Sequence, residues 1–414
     1  MNDMNDRNDS STARTNLDRR GFVAGGLSLL GGAGLLSSRA FAALGAQEEQ
    51  ADRTLVLIQL SGGNDGLSTV VPFGDDAYQS KRSRTLAPSE GLHKLDGYRA
   101  LHPNLGKLAR HFEEGGLAIV EGVGYPGPVR SHFKSLDVWH SASLSGRAAR
   151  EGWVGKVCNT AWKESPLPEL VVHLGGKVPY SLHSLEHSAV AFEIPESYRW
   201  LGDGHEAETL RKGSEGGERN SVLDRLRGVL RDAQESSTRI RAAARAYRTD
   251  VEYPDTPFGR GLRVIAGLIE ARGGTRVFSI ELGGFDTHNN QKAAHDTLMS
   301  TIDDALNAFL RDLRGREAGD RTMVMMFSEF GRRVAENGSG GTDHGKAGPM
   351  FLAGTPVEGG IFGEHPSMTE LDGGDLAFTT DFRSVYATAI EDWFGVPHAE
   401  VLGETFKRIP YLKT

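Results

Sequence analysis

The chain of 414 residues is 38% hydrophobic and 25% charged, the composition of a globular protein with enough apolar material for a large core. Its formal net charge of −8 argues against a broad nucleic-acid-binding surface. The single cysteine, Cys158, excludes an intrachain disulfide.

The first 42 residues are predicted to be a targeting segment rather than part of the fold. Arg19 and Arg20 precede a weakly apolar stretch, and Ala40-Phe41-Ala42 has the pattern of a cleavage site. This pattern is typical of a twin-arginine signal, which would place the protein in the periplasm or outside the cell. A membrane anchor or a chance pair of arginines is the alternative. Cleavage after Ala42 would leave residues 43–414 as a single domain without a stable membrane span.

Apolar runs alternate with amphipathic stretches along the rest of the chain. Residues 202–220, rich in Gly, Glu and Arg, are predicted to be a mobile loop. Alternating strands and helices predict an α/β fold with a mostly parallel central sheet and helices on both faces. The predicted strands are Thr54–Leu60, Leu117–Val123, Leu170–Leu174, Arg276–Leu282, Thr322–Phe327 and Gly348–Gly354, and the predicted helices include residues 221–247, 258–272 and 382–395 and one that ends near Arg314.

Three of the predicted strands are followed by loops that carry oxygen and imidazole side chains. Asp65 follows the first strand, Asp286 and His288 follow the fourth, and Asp343 and His344 follow the fifth through a Gly/Ser-rich loop. Because the carboxyl ends of parallel strands meet at one edge of a sheet, we expect these side chains to converge. Carboxylate and imidazole groups are ligands of divalent metals, so the three loops together predict a metal site. Each loop alone could equally be a turn without a ligand.

Four further residues are candidates for catalysis. Ser131 opens a predicted helix, where it is either an N-cap or a nucleophile, and Arg130 before it could pair with an anionic substrate. Glu329 and Arg332 follow the fifth strand, beside the Asp-His loop.

The motifs, taken together, resemble the DUF1501 family of exported bacterial proteins. They are Ser61-Gly-Gly-Asn-Asp-Gly-Leu67, Arg130-Ser-His-Phe133, Gly283-Gly-Phe-Asp-Thr-His288, Ser328-Glu-Phe-Gly-Arg332, Thr342-Asp-His-Gly345 and Thr379-Thr-Asp-Phe-Arg-Ser-Val-Tyr386. That family is similar to the alkaline phosphatase and sulfatase superfamily, which implies an alkaline phosphatase-like, three-layer α/β/α sandwich with metal-bound aspartates and histidines.

The resemblance also implies roles for individual residues. Asp65 resembles the early metal-binding aspartate of the superfamily, and Asp286 with His288 and Asp343 with His344 resemble the later ligand pairs. Ser131 stands at the nucleophile's place in chain order, and His365 is the candidate for a terminal metal histidine. Cys158 has no Cys-x-Pro-x-Arg context, so formylglycine chemistry is not expected.

The activity implied by the resemblance is metal-dependent hydrolysis of a phosphate or sulfate ester, with zinc, manganese or calcium as the divalent metal. The expected partners are an anionic small-molecule or polymer ester and no nucleic acid. The alternative is a non-catalytic exported binding protein that keeps the fold and pairs with a cell-envelope partner. An exported protein of the DUF1800 type is the candidate partner, because such proteins are often encoded beside members of this family. A redox function has no cofactor fingerprint in the sequence.

Overall fold

A mixed sheet of nine strands organises the residues that the computed structural model describes, which are 52–145, 150–165, 167–199 and 222–414. The predicted signal segment 1–42 and the predicted loop 202–220 lie outside these residues. The strands are β1 (Thr54–Leu60), β2 (Val70–Val71), β3 (His93–Lys94), β4 (Ala100–Leu101), β5 (Leu117–Gly124), β6 (Val171–Leu174), β7 (Val190–Phe192), β8 (Val277–Leu282), β9 (Thr322–Phe327), β10 (Gly348–Ala353), β11 (Gly360–Phe362) and β12 (Thr380–Asp381).

The strand order of the large sheet is β11-β5-β10-β9-β1-β8-β6-β7, and β12 pairs with β5. Strand β1 is parallel to both of its neighbours, β8 and β9, and lies near the middle of the sheet. Strand β10 is antiparallel to both β5 and β9. The predicted mostly parallel sheet is therefore confirmed, with one antiparallel strand inside it. The short strands β2, β4 and β3 form a separate sheet of three strands.

Helices cover both faces of the large sheet, which makes a three-layer α/β/α arrangement as predicted. The helices in the described residues are α1 (Gly66–Thr69), α2 (Asp76–Lys81), α3 (Gly106–Glu113), α4 (His132–Ser141), α5 (Trp153–Ala161), α6 (Val222–Ala246), α7 (Pro257–Glu270), α8 (Gln291–Leu313), α9 (Glu317–Asp320), α10 (Phe382–Thr388) and α11 (His398–Leu402), with a π-helical turn at Ala389–Trp393 and 3-10 turns at Tyr180–Leu182 and Pro195–Ser197.

The alternation of side chains along β1 shows how the core divides. Val56, Ile58 and Leu60 point to one face, where they pack with α3, α6, α7 and α8. Leu55 and Leu57 point to the other face, where they pack with α4, α5, α10 and α11. Every residue of β1 is buried because helices cover both faces, so the strand is apolar throughout instead of alternating with polar residues.

Local signals fix two of the helix ends. The Thr256 hydroxyl accepts a hydrogen bond from the Gly259 N–H at 3.0 Å, and Pro257 occupies the first helical position of α7, as predicted. The helix predicted over residues 382–395 changes to the π-helical turn at Ala389. None of the helices in the described part of the chain has the length and apolarity needed to cross a bilayer.

Candidate metal centre

The loops after β9, β1 and β8 form the site, because these three strands are neighbours in the sheet and run parallel. Leu60 at the end of β1 is paired in register with Leu282 at the end of β8, and Gln59 is paired with Phe327 of β9. All three loops therefore leave the sheet at the same edge and at the same height, which is the position where open α/β sheets place their ligands.

The backbone of the first loop touches both of the other loops. Gly62 has φ of 120°, and a Cβ at this position would overlap the backbone nitrogen of Asp286. The Gly62 N–H also donates to Oε1 of Glu329 at 2.9 Å. A glycine is required at this position both by the positive φ and by the close approach. The Gly-Gly motif thus lets the first loop lie directly against the loop that carries Asp286.

Four side chains meet at this edge with their ligand atoms in contact. Nε2 of His344 lies 3.0 Å from Oδ1 of Asp286 and 2.9 Å from Nε2 of His288. Nε2 of His288 lies 3.1 Å from the same aspartate oxygen. Nε2 of His132 lies 3.5 Å from Oδ2 of Asp286. His132, Asp286 and His344 each offer a ligand atom, and these three atoms lie within 4.8 Å of one another.

The outer nitrogen of each histidine is held by an oxygen. Nδ1 of His132 lies 2.8 Å from Oε1 of Glu329, and Nδ1 of His288 lies 3.1 Å from Oδ1 of Asp343. Nδ1 of His344 lies 2.9 Å from the carbonyl oxygen of Arg130. Carboxylate and carbonyl oxygens only accept hydrogen bonds, so each Nδ1 carries a proton. In a neutral ring Nε2 then presents a lone pair, whereas a ring protonated at both nitrogens can donate from Nε2 to Asp286. Second partners of this kind typically orient metal-binding histidines.

This tautomer assignment provides a test of whether the residues fit a cation. The Nε2 lone pairs of His288 and His344 would face each other at 2.9 Å, which is repulsive unless a proton or a metal ion lies beside them. Metal–nitrogen distances of about 2.0–2.1 Å put two ligands of one metal roughly 2.9–3.5 Å apart at bond angles near 90–110°. The four contacts given above, from 2.9 to 3.5 Å, fall in this range, and the ligand atoms of His132, Asp286 and His344 lie within 4.8 Å of one another. The donor set therefore fits a divalent metal ion.

Arg332 fixes the position and the charge of Asp286. Its side chain is buried and donates from Nη2 to Oδ1 of Asp286 at 2.8 Å and from Nε to the Gly63 carbonyl at 2.8 Å. Partial burial raises the pKa of Asp286, but hydrogen bonds from His344 and Arg332 and the charge of Arg332 outweigh it and lower the pKa to about 2. Asp286 is thus ionised at neutral pH, as a metal ligand must be.

Asp343 lies behind the cluster rather than within it. Its Oδ1 accepts from Nδ2 of Asn337 at 3.1 Å as well as from Nδ1 of His288. Both hydrogen bonds lower the pKa of its carboxyl group. Asp343 accordingly orients His288, and the structure brings together the four residues predicted from the loops after β8 and β9.

Asp65 lies apart from this group, in a buried ion pair. Its side chain is 1% exposed and binds the guanidinium of Arg82 with both oxygens, at 2.5 and 3.0 Å. It also accepts hydrogen bonds from Ser68 and Gln291. Burial raises its pKa, but the charge and the hydrogen bonds of Arg82 outweigh this and the net pKa is lowered. The predicted convergence of Asp65 with the other ligands is therefore wrong, because Arg82 already provides its positive partner.

Ser131 and Arg130 border the cluster. Ser131 is the N-cap residue of α4, but its side chain makes no capping hydrogen bond and no other hydrogen bond among the described residues. The explanation that its hydroxyl caps the helix is therefore wrong. The guanidinium of Arg130 pairs with Asp375, while its carbonyl holds His344.

His365 belongs to a different network. Its Nδ1 lies 3.1 Å from Oε1 of Glu121, whose other oxygen pairs with Arg99. Its ring packs edge-on against Tyr98 at 5.2 Å. The expectation that His365 is a terminal ligand of the same metal centre is therefore wrong.

Sequence reasoning identifies neither His132 as a member of the cluster nor Arg82 as the partner of Asp65. His132 could be either structural or functional from its sequence, since it lies directly after a possible N-cap at a helix start. Arg82 lies in a polar segment between two short elements, with no nearby motif. The one sequence signal for His132 is the Arg-Ser-His-Phe motif, which the comparison with known proteins places within the family region.

The chain belongs to the DUF1501 family. The model of this family, described as "Protein of unknown function (DUF1501)", matches residues 119–405, which include every member of the four-residue cluster. A search of curated proteins gave no significant match. The family predicted from the motifs is thus confirmed.

Solved structures that resemble the chain include a sulfatase and a lipoteichoic acid synthase. A PsFucS1 sulfatase from Pseudoalteromonas sp. is 10% identical with a TM-score of 0.38, and the match covers 85% of this chain and 72% of that one. The lipoteichoic acid synthase LtaP from Listeria monocytogenes is 11% identical with a TM-score of 0.32, over 80% of this chain and 75% of that one. Likenesses of this degree carry no argument about activity.

Proposed function

We propose that this protein is a metal-dependent hydrolase of phosphate or sulfate esters. One observation carries the proposal: three Nε2 atoms and the Asp286 carboxylate converge at the carboxyl edge of the sheet, while each Nδ1 is held by an oxygen. The residues that would hold the metal are His132, Asp286 and His344, with His288 beside them. A donor set rich in imidazole suits zinc or manganese better than calcium, which prefers oxygen ligands.

A bound divalent metal would polarise the ester and lower the pKa of a nucleophile. The protein supplies the geometry around it. Glu329 and Asp343 hold His132 and His288 in one tautomer, and Arg332 keeps Asp286 ionised and fixed. The Ser131 hydroxyl stands one residue before His132 and has no hydrogen-bond partner among the described residues, and we assign it the role of nucleophile.

The cluster is open to a substrate. The side chains of Asp286 and His288 are 49% and 41% exposed, and that of His344 is 18% exposed. The positively charged Arg130 lies at the rim, where it suits an anionic ester. We therefore assign Arg130 to substrate binding and Glu329 and Arg332 to positioning.

Metal analysis of the purified full chain tests the proposal. Wild-type protein is expected to bind about one zinc or manganese ion per chain, and Asp286→Ala and His344→Ala should each lose it together with turnover of aryl phosphate or aryl sulfate esters. Asp65→Asn should keep the metal, because Asp65 pairs with Arg82. Asp255→Asn, at an exposed ion pair with Arg260, is the control. Full metal content in both alanine variants would contradict the proposal.

We also propose that the protein acts outside the cytoplasm, on the basis of Arg19-Arg20 and the Ala40-Phe41-Ala42 site. Replacing both arginines by lysine should leave the precursor in the cytoplasm, and unchanged export would contradict the twin-arginine route. A pairing with an exported DUF1800-type protein is a further proposal that rests on the family alone.

A further inference from the structure

The turn Asp372–Asp375 contacts three cationic side chains at the rim of the candidate metal centre. Nη2 of Arg130 pairs with Oδ2 of Asp375. Nη2 of Arg333 donates to the carbonyl oxygen of residue 373 at 2.8 Å, and Nζ of Lys346 lies 2.5 Å from the carboxylate of Asp372. Three cations from separate parts of the chain thus converge on one acidic turn.

The same three cations are tied to the metal centre through the backbone. The carbonyl of Arg130 accepts the hydrogen bond of His344, and the N–H of Arg333 donates to the carbonyl of Asp343 at 3.0 Å. Lys346 follows His344 by two residues. A group bound by these cations would therefore lie next to an ester bound at the cluster.

The carboxylate of Asp375 is an incomplete partner for these cations. Its side chain is 0% exposed, yet Oδ1 has no hydrogen bond, and Nε of Arg333 is 3.5 Å away. The carboxylates of Asp372 and Asp375 face these three cations, and the charge of Arg333 also acts on the carboxylate of Asp343. Buried polar atoms normally have a hydrogen-bond partner, but the docked carboxylate leaves Oδ1 without one, and release of the turn would let that oxygen bind water.

Two hydrogen bonds within the turn close it. The N–H of Asp372 donates to the carbonyl of Asp375 at 3.0 Å, and the N–H of Asp375 donates to the carbonyl of Asp372 at 3.3 Å. Gly373 and Gly374 between them have φ of 63° and 90°. Because these bonds lie within the turn, leaving the cations would not break them.

We propose that Arg130, Arg333 and Lys346 form an anion subsite, and that the turn Asp372–Asp375 is its resident occupant. The ligand is a second anionic group on the ester, so the substrate class is an ester with several sulfate or phosphate groups. The proposal deepens the proposed function and rests on it for the identity of the ester. A tethered carboxylate competes at an effective concentration of about millimolar, so an ester with one anionic group would not displace the turn readily.

Calorimetric titration of the chelator-treated full chain with inorganic pyrophosphate tests the subsite without the metal. Asp375→Asn should bind pyrophosphate at least about tenfold more tightly than wild type, because the competing carboxylate is gone. Arg333→Met should bind it at least about tenfold more weakly. Asp255→Asn should bind it as wild type does. Equal affinity in wild type, Asp375→Asn and Arg333→Met would overturn the proposal.

A second variant and a second measurement support the titration. If Asp375→Asn does not fold, Asp372→Asn, whose side chain is 60% exposed in the wild type, replaces it with the same expected direction. In wild type, saturating pyrophosphate should speed hydrogen exchange at the amides of residues 372–375, and unchanged exchange would overturn the displacement. Neither readout uses the metal or turnover. Failure of the wild-type protein to bind a metal would therefore reject the proposed hydrolase. Equal pyrophosphate affinities in wild type and the two variants would reject the subsite alone.

Discussion

At the scale of single residues, the site is defined by which nitrogen of each histidine is free. Glu329, Asp343 and the Arg130 carbonyl take up the three Nδ1 atoms, so the three Nε2 atoms are left to face Asp286. This is the same arrangement in which outer partners orient the ligands of known metal sites. The residues that hold the Nδ1 atoms would therefore decide whether a metal ion can bind.

Ser131→Ala distinguishes a nucleophilic role of the Ser131 hydroxyl from a helix-capping role. We expect ester turnover to fall by at least about 10³-fold, with metal content unchanged, if the hydroxyl is the nucleophile. The free energy of unfolding should change by less than about 0.5 kcal/mol, because the side chain makes no capping hydrogen bond. Turnover and urea unfolding of the full chain measure both quantities.

Ser135→Ala on the same helix is the matched control. The Ser135 hydroxyl donates to the carbonyl of Glu329 at 2.5 Å and is buried, so its loss should lower the free energy of unfolding by about 1 kcal/mol. Undiminished ester turnover in Ser131→Ala would rule out the Ser131 hydroxyl as the nucleophile. A stability loss of about 1 kcal/mol or more in that variant would restore the capping role.

Part of the site could be predicted from the sequence because apolar runs show where strands end. Asp286, His288, Asp343 and His344 follow apolar runs that are β8 and β9, and the parallel pairing of these strands with β1 brings them together. His132 comes from a helix start after β5, which is separated from β9 by β10. Its approach to Asp286 depends on this strand order, which no local pattern encodes.

The prediction for Asp65 failed for a different reason. The loop is where a ligand would be expected, but Arg82 reaches Asp65 from a separate segment and neutralises it. A sequence pattern shows which side chains a strand end carries, but it does not show which distant cation pairs with them. Tertiary partners of buried charges are what the sequence leaves open.

At the scale of elements, Glu336 joins the loop after β9 to the segment after α2. Its carboxylate accepts from the N–H groups of Ser83, Arg84 and Thr85 at 2.9, 2.8 and 3.1 Å. Nearby, Arg82 donates to the carbonyl of Val334 at 2.9 Å. The loop that delivers Asp343 and His344 is thus held at its base by a neighbouring segment.

Glu336→Gln should destabilise the protein at neutral pH. Slight burial raises the pKa of Glu336, but its hydrogen bonds from Ser83, Arg84 and Thr85 outweigh this and lower the pKa well below the usual range. A lowered folded-state pKa contributes stability that is present above the unfolded pKa, about 4.3, and is lost as the pH falls. We expect a loss of about 1–3 kcal/mol at pH 7.

Urea unfolding at several pH values measures this effect. The difference between wild type and Glu336→Gln should shrink as the pH falls below about 4, where the unfolded-state carboxyl is protonated. Glu235→Gln on the exposed face of α6 is the control, with a change of less than about 0.5 kcal/mol. A difference that does not depend on pH would show that the carboxylate charge is not what holds the loop.

At the scale of the whole molecule, three buried histidines away from the metal centre couple folding to pH. His140 lies in α4, His173 in β6 and His295 in α8, and each is 6% exposed or less. Burial lowers the pKa of each to about 4. These histidines lie in different layers of the fold, so they respond to unfolding of the whole domain rather than to movement of one loop.

These histidines predict that the protein loses stability under mild acid. In the unfolded chain a histidine has a pKa of about 6.5, so between about pH 6.5 and 4 the unfolded state binds protons that the folded state does not. The free energy of unfolding should therefore fall as the pH drops through this window, by up to about 3 kcal/mol per histidine. Urea unfolding of His140→Gln should show a shallower decline than wild type between pH 6.5 and 4. An equal decline in wild type and His140→Gln would contradict the assignment of His140 as a buried neutral group.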